Sequence, residues 1–374
     1  MKNKVIVPPA TIGIIGGGQL GRMMAEAAKP MGYTVIILDP NPDSSAGKVS
    51  DAQIVADYDD RAALKELAEK SDVVTYEFEN VDLDGIETIK SLTAIPQNSN
   101  ILKTTSNRIL EKNFLKNLNI PVAPFAEIKS IEDLKLQSEK LGYPLILKTT
   151  TGGYDGHGQW DINNATDIEN LPIEIKPQDP LILEKKINFD EEASMMVTVD
   201  GKQQIVTWPI SINYHQDHIL KISVVDDQAN QKLTAKAKVI AEKIAKALDL
   251  KGMFGIEFFV TDDELYVNEL APRPHNSGHY SIEGSNTSQF AGQIRSVTGL
   301  PIEDIQANND FVTMINLLGD EISMARQDLP NHPEWHFHDY EKTPIKPKRK
   351  MGHITVLGKE NGNKLIAWEK SHHE

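Results

Sequence analysis

Residues 252–279 read GMFGIEFFVTDDELYVNELAPRPHNSGH. Two runs of β-branched and aromatic residues flank the polar patch Thr261-Asp262-Asp263-Glu264, the pattern of a β-hairpin. The register of that hairpin decides where two acids stand. With a three-residue loop over 262–264, Glu257 lies opposite Glu269 on one face, whereas a two-residue loop puts them on opposite faces because side chains alternate along a strand. Like charges directly opposed across a sheet are destabilising. Such a pair makes sense with a hard cation between the carboxylates, and Mg²⁺ carrying a bound phosphate is the usual occupant. The plainer alternative is a solvated face bearing two ordinary acids.

The chain has 374 residues, too long for one ordinary core, so two or three domains are expected. No apolar run approaches the length of a transmembrane helix, and the N-terminal MKNKVIVPPA is too short in apolar residues, and too broken by Pro8-Pro9, for a signal peptide. Without cysteine there is no disulfide framework, thiolate nucleophile or Cys-ligated zinc. A cytoplasmic protein fits all of this. The net charge of −15 disfavours nucleic acid as a partner, and nothing points to a membrane. The same charge repels phosphorylated small molecules, so any anion site needs local clusters of Lys, Arg and backbone N–H groups.

The first hundred residues alternate strand and helix: strands at 11–15, 33–38, 52–55 and 72–75, helices at 19–28 and 62–69. This is a parallel, doubly wound α/β unit. Gly16-Gly17-Gly18-Gln19-Leu20-Gly21 satisfies G-x-G-x-x-G, and Asp39 follows about 20 residues on, which is the dinucleotide fingerprint. Alone it keeps an NAD-dependent oxidoreductase in play. What it guarantees is only a turn whose amides welcome phosphate. A connecting helix is expected at 107–117 and a linker at 120–124. Beyond them come a helix at 131–141, strands at 145–148, 181–184, 193–199 and 203–208, a long helix at 231–248, the acidic hairpin and a late strand at 352–357.

Three further segments carry chemistry. Thr149 to Gln159, TTTGGYDGHGQ, is a glycine-rich loop between a strand ending in Lys148 and a strand starting near Trp160, so it reads as a flap whose amides close over phosphates. Glu184-Lys185-Lys186-Ile187 leads from an apolar strand into the acidic stretch 188–192, where carboxylates can accept hydrogen bonds from a ribose or an adenine amine. Ala271 to His279, APRPHNSGH, has two prolines fixing its path and an arginine able to clamp a phosphate, while Lys346-Pro347-Lys348-Arg349-Lys350, a run usually read as a solvated patch, leads straight into a strand that must pack and so can line an anionic site.

In order and spacing, Lys148, GGYDGHGQ, EKKI and the Glu257/Glu269 pair resemble the ATP-grasp superfamily. Within it, GGGQLGRM, TGGYDGHGQ, NELAPRPHNSGH and RKMGHITV resemble the 5-(carboxyamino)imidazole ribonucleotide synthase family of purine biosynthesis. The motifs span nearly the whole chain. The resemblance implies an ATP-grasp fold, α/β and α+β, behind an N-terminal Rossmann-like parallel-sheet domain: residues 1–106 for that domain, 107–190 for the linker helix and lid domain, and 191–374 for the large domain with its C-terminal part. It implies a carboxylating C–N ligase that uses ATP and Mg²⁺ to convert 5-aminoimidazole ribonucleotide and bicarbonate to the N5-carboxy product through carboxyphosphate, and a homodimer.

The resemblance also assigns roles. Arg108 and Lys148 contact ATP phosphates under a lid of Gly153, Tyr154, Asp155, Gly156, His157, Gly158 and Gln159. Glu184, Lys185, Lys186 and Ile187 hold adenine, Glu192 the ribose, and His215 touches the nucleotide. Glu257 and Glu269 hold Mg²⁺ with Asn268 beside them. Gln19 and Leu20 meet the aminoimidazole ribonucleotide, Glu77 or Glu79 its ribose, and Arg273, Lys350 and Arg349 its phosphate. Asp155 orients or deprotonates the amine, with His275 and Asn276 near bicarbonate. Asp155, Arg273, His275 and Lys350 are thus the catalytic set.

Two positions depart from the pattern. Ala271 stands where many ATP-grasp enzymes have an asparagine two residues after the second metal glutamate, and His157 stands where some relatives have arginine. Within the same fold, the rival is a formate-dependent glycinamide ribonucleotide transformylase; RPHNSGH together with RKMGH favours carboxylation. A non-catalytic nucleotide sensor has no need of Lys148, Asp155, Glu257 and Glu269 together, and an oxidoreductase leaves the flap, the acid pair and the basic run without a purpose.

Overall fold

The computed structural model describes residues 5–152, 158–173, 175–262 and 264–371. Three sheets organise it. The first is parallel, in the spatial order Ala52–Ile54, Thr34–Leu38, Thr11–Ile15, Val73–Tyr76. Its two central strands are nearly continuous apolar runs, TIGII and TVIIL, as strands covered on both faces must be. Helices Gln19–Ala28 and Arg61–Lys70 supply the cover. Asp60 starts the second by accepting the amides of Ala62 and Ala63.

The second sheet is antiparallel, ordered Phe125–Ile128, Leu181–Lys185, Leu145–Thr149, Gln159–Ile162, with helix Ile131–Leu141 packed on it. The third sheet has nine strands. Along its main path it runs Glu264–Ala271, Phe254–Thr261, Glu191–Val199, Ser211–Gln216, Ile219–Asp226, Phe311–Leu318, Lys350–Leu357, His336–Asp339, and Ile205–Thr207 pairs with Glu191–Val199 off that path. The long helix Gln231–Ala247 buries Ala237, Ala241 and Ile244 against this sheet, the two alanines letting helix and strands approach closely.

The parallel-sheet unit is bound to the large sheet through helix Gln289–Val297. Phe290, Ile294 and Val297 enter the same apolar cluster as Leu20 and Met24. Beside it runs a buried polar bridge: Gln293 Nε2 donates to Thr75 Oγ1 at 2.8 Å and to Gln97 Oε1 at 3.0 Å, and Gln97 Nε2 donates to the Pro272 carbonyl at 3.1 Å. The segment that follows the acidic hairpin is therefore tied to the first domain. Among the described residues no helix is long and apolar enough to cross a membrane.

The strands read from sequence are present with shifted ends: those expected from 145, 181, 193 and 352 are one or two residues longer, those expected at 33–38 and 52–55 are one residue shorter, the 72–75 strand is Val73–Tyr76, and 203–208 shrinks to Ile205–Thr207. Phe125–Ile128, Ser211–Gln216, Ile219–Asp226, Phe311–Leu318 and His336–Asp339 were not anticipated. SINYHQ alternates only over five residues and HFHD has a single apolar side chain in four; their neighbours in the sheet make them strands, and such context outweighs local propensity.

Candidate active site

The acidic hairpin has its two glutamates paired, by a different route from a three-residue loop. Thr261 pairs with Glu264, which makes the turn two residues long. Carried unbroken, that register would set Glu257 against Asn268 and turn Glu269 to the other face. Instead the ladder shifts between Glu257 and Phe258: Phe258 pairs with Val267, Glu257 with Glu269. Asn268 is the extra residue of a β-bulge, and the bulge restores the face-to-face arrangement.

Electrostatics separates the two acids. Glu257 is half-buried; burial alone would raise its pKa, but His275 Nε2 at 3.1 Å, with His215 and Lys350 nearby, holds it down at about 2. Glu269 is pushed up to about 7, first by the surrounding protein and then by the charges of Glu257 and Glu79, against the pull of Arg108 and Arg273. Its side chain still reaches solvent at the cleft mouth, so water screens part of that push. With no cation present, one carboxylate of the pair carries the charge and the other retains a proton near neutral pH.

Glu269 lines a cleft together with Glu79, Arg108, Glu111, Thr150 and Gly152. Arg108 opens helix Arg108–Asn117, capped by Asn107; its amide donates to the Thr150 carbonyl at 2.9 Å and its Nη1 to the Thr149 carbonyl at 3.0 Å. The guanidinium is thereby fixed at the root of the glycine loop. Lys148, on the strand leading into that loop, pairs with Glu184 at 2.8 Å. Burial would raise the Glu184 pKa, but Lys112, Lys148 and Arg108 together hold it at about 2. Its second oxygen is buried and has no partner among the described residues. Lys185 and Lys186 are engaged within the protein: the Lys185 ammonium reaches the carbonyls of Gly142 and Tyr143, and Lys186 pairs with Asp161. Ile187 is half-buried just after the strand. Glu192 bonds His215 at 2.6 Å; burial would lower that imidazole's pKa, and the carboxylate raises it instead.

Gly153, Tyr154, Asp155, Gly156 and His157 lie outside the described residues. Gly158 accepts the Thr149 amide at 2.9 Å and Gln159 pairs with Lys148, so both ends of the loop are anchored in the sheet.

On the other side of the acid pair, Arg273 forms an ion pair with Glu79 at 2.5 Å. Gly255 has no side chain where a Cβ would come within 2.8 Å of His275, and this lets the imidazole lie across the strand against Glu257. His275 Nδ1 lies 2.7 Å from Ser277 Oγ. Asn276 is buried, and neither end of its amide has a partner among the described residues.

A second cleft is lined by Gly17, Gly18, Asp39, Glu77, Lys342 and Arg349. Here the fingerprint reading of the glycine turn is corrected. Glu77 takes the amides of Gly18 and Gly21, and Asp39 takes that of Gly17 at 2.7 Å. The protein's own carboxylates thus occupy the anion-binding amides. Leu20 is buried in the core, so a ligand here meets its backbone, whereas Gln19 accepts from the Lys342 ammonium at the cleft edge. Lys342 was missed from sequence because it lies outside the basic run; burial, then the charge of Arg349, lowers its pKa to about 8. Lys350 starts the Lys350–Leu357 strand, and its carbonyl accepts from Lys342 at 3.1 Å.

Family models match the chain in three consecutive pieces: a ribonucleotide synthetase preATP-grasp domain over residues 9–105, an ATP-grasp domain over 113–290, and a phosphoribosylaminoimidazole carboxylase C-terminal domain over 312–365. The N5-carboxyaminoimidazole ribonucleotide synthase of Bacillus subtilis is 43% identical over 358 residues, 96% of this chain and 94% of that protein. The chain belongs to the N5-carboxyaminoimidazole ribonucleotide synthase family of ATP-grasp enzymes. A crystal structure of an ADP complex of such a synthetase superposes with a TM-score of 0.92 at 40% identity, covering 99% of this chain and 97% of that one. The Aspergillus clavatus enzyme, in complex with ADP and 5-aminoimidazole ribonucleotide, gives 0.86 at 32% identity, with coverage of 98% and 97%.

The donor set fits the Mg²⁺ that ATP-grasp chemistry uses. Two hard carboxylates stand opposite each other on one face of the hairpin, and Glu269 lines an open cleft, a donor set that suits a hard cation. Among the described residues no group of three or more His, Cys, Asp or Glu gathers to hold a metal by itself.

Proposed function

We propose that this chain carboxylates 5-aminoimidazole ribonucleotide, consuming ATP and bicarbonate and releasing N5-carboxyaminoimidazole ribonucleotide, ADP and phosphate. The observation that carries the reading is the Glu257–Glu269 pair, brought opposite each other by a bulge, with Glu269 lining the cleft that Arg108, Thr150 and Gly152 also line. Family membership supplies the acceptor.

The residues divide the work. Arg108 and Lys148 neutralise the triphosphate, the Glu184–Ile187 segment receives adenine, and Glu192 with His215 receives the ribose. Glu257 and Glu269 would hold Mg²⁺, and when bound it would supply positive charge against the transferring phosphoryl group. A bicarbonate oxygen attacks the γ-phosphorus and ADP leaves. The carboxyphosphate then breaks its C–O bond to phosphate, giving carbon dioxide and inorganic phosphate. The exocyclic nitrogen of the aminoimidazole bonds to that carbon and gives up a proton, leaving a carbamate. Asp155, outside the described residues, is the acid this reading assigns to the amine. Asn276 offers an unused buried amide beside His275 for bicarbonate. Arg273, Arg349 and Lys350 answer the ribonucleotide phosphate in a protein of net charge −15, and Glu77 or Glu79 its ribose.

The reaction needs little more than positioning, charge neutralisation and exclusion of water. ADP release should require ATP and bicarbonate together and be stimulated by aminoimidazole ribonucleotide, with the carboxylated product detected only when all three are present. Turnover with formate and glycinamide ribonucleotide instead would overturn the assignment. A homodimer belongs to the same reading, and a single-chain mass by light scattering would remove it.

A further inference from the structure

The bulge that brings Glu269 opposite Glu257 leaves backbone groups that the hairpin ladder does not use, and one helix supplies their partners. The ammonium of Lys112 donates to the Asn268 carbonyl at 2.6 Å and to the Val267 carbonyl at 3.3 Å, the two groups that precede Glu269. One residue earlier, Glu111 Oε2 accepts the amide of Leu270, the group that follows Glu269, at 3.2 Å. Both side chains are buried, Lys112 at 1% exposure and Glu111 at 2%. Burying polar and ionisable groups is costly unless they are answered, so two adjacent ionisable side chains turned inward from helix Arg108–Asn117 call for a reason.

We propose that Lys112 and Glu111 are positioning residues for the acidic pair: Lys112 holds the bulge, Glu111 holds the amide beyond it, and together they fix the Glu269 carboxylate relative to Glu257. Neighbouring helical residues point roughly 100° apart, so one helix can grip the strand on both sides of a single side chain. Were the bulge to slip, Glu269 would turn to the opposite face and the pair would be lost. The same helix begins with Arg108 at the root of the glycine loop. It therefore links the phosphate side of the cleft to the metal side as one rigid piece.

This inference rests on reading the pair as an Mg²⁺–nucleotide site, and the test separates the two. ADP affinity of the full chain is measured by calorimetry across a series of Mg²⁺ concentrations for the wild type, Lys112→Met, Glu111→Ala and Glu111→Gln. The wild type should bind ADP more tightly as Mg²⁺ rises. Lys112→Met and Glu111→Ala should shift the Mg²⁺ midpoint upward by roughly tenfold or more, the usual consequence of removing a partner that orients a metal ligand. Glu111→Gln keeps an oxygen for the Leu270 amide and should stay within about twofold by the same logic. A folded Lys112→Met or Glu111→Ala with an unchanged midpoint overturns the proposal, even if its melting temperature has dropped. If Lys112→Met does not fold, the contrast between Glu111→Ala and Glu111→Gln decides alone. A wild type whose ADP affinity ignores Mg²⁺ would instead remove the metal reading, and this inference with it.

Discussion

Glu77 sits on the glycine turn that ends the first strand, its two carboxylate oxygens accepting the amides of Gly18 and Gly21. A pyrophosphate would occupy that place in a dinucleotide-binding domain. The glycines are needed all the same. Gly16 has φ +109°, and a Cβ there would come within 2.3 Å of Glu77. The close approach that the motif permits is made by the chain's own acid.

Replacing Glu77 by alanine should therefore act on stability before it acts on ligands. Two amides at a helix start lose their acceptor, an effect of about 1–3 kcal/mol for the unsatisfied groups. Denaturant unfolding measures it. A variant as stable as the parent would mean that the turn does not depend on this contact. NADH should bind neither protein detectably.

This turn marks the limit of what the sequence made legible. The strand–turn–helix was readable from Gly16 to Gly21 because glycine spacing reports backbone approach. What approaches was hidden, because Glu77 lies far along the chain and enters through a neighbouring strand. The acid pair shows the same division. Alternation located the hairpin and both glutamates, but the bulge at Asn268 has no local signal: it depends on Lys112 and Glu111, more than 150 residues earlier. Lys342 was missed because an isolated lysine looks like surface until burial reveals it. Motifs that act by composition were visible; contacts that depend on register between distant segments were not.

The raised pKa of Glu269 predicts how metal affinity follows pH. An acid whose folded pKa lies near 7, above its ordinary 4.5, favours the metal-free folded protein while protonated. Its contribution to stability is present below the ordinary value and is lost as pH rises toward 7. Mg²⁺ must displace that proton, so the Mg²⁺ dependence of ADP binding should tighten between about pH 6 and pH 8 and level off above, with proton release on binding. Calorimetry in buffers of different ionisation enthalpy reads the proton directly. Glu269→Gln should abolish both the pH dependence and turnover while leaving the fold intact; a pH-independent wild type would place the titrating group elsewhere.

Lys148, partly buried, pairs with the buried Glu184, and removing one partner should cost more than removing both. Lys148→Met leaves the Glu184 carboxylate without its 2.8 Å partner, a loss of about 3 kcal/mol for a group this enclosed. Glu184 then keeps only the charges of Lys112 and Arg108; adding Glu184→Gln removes the carboxylate and should recover part of that loss, so the double variant is the more stable of the two. ADP binding should fail in both, because the phosphate cation is gone. Nucleotide affinity restored along with stability in the double variant would show that Lys148 serves only the fold.

Asn276 should show stability and activity moving in opposite directions. Its amide is buried beside His275, yet neither its oxygen nor its nitrogen finds a partner among the described residues. Leaving a buried polar group unsatisfied costs about 1–3 kcal/mol, and a fold retains that cost when a ligand supplies the missing bonds. Asn276→Ala should thus unfold at an equal or higher denaturant concentration than the parent, with turnover reduced at least roughly tenfold through lost substrate positioning. The loss should appear with bicarbonate and aminoimidazole ribonucleotide as the varied substrates and not in ADP affinity, since the nucleotide cleft is lined by other residues. A variant that is less stable and fully active would make Asn276 a structural residue and free the bicarbonate position for another group.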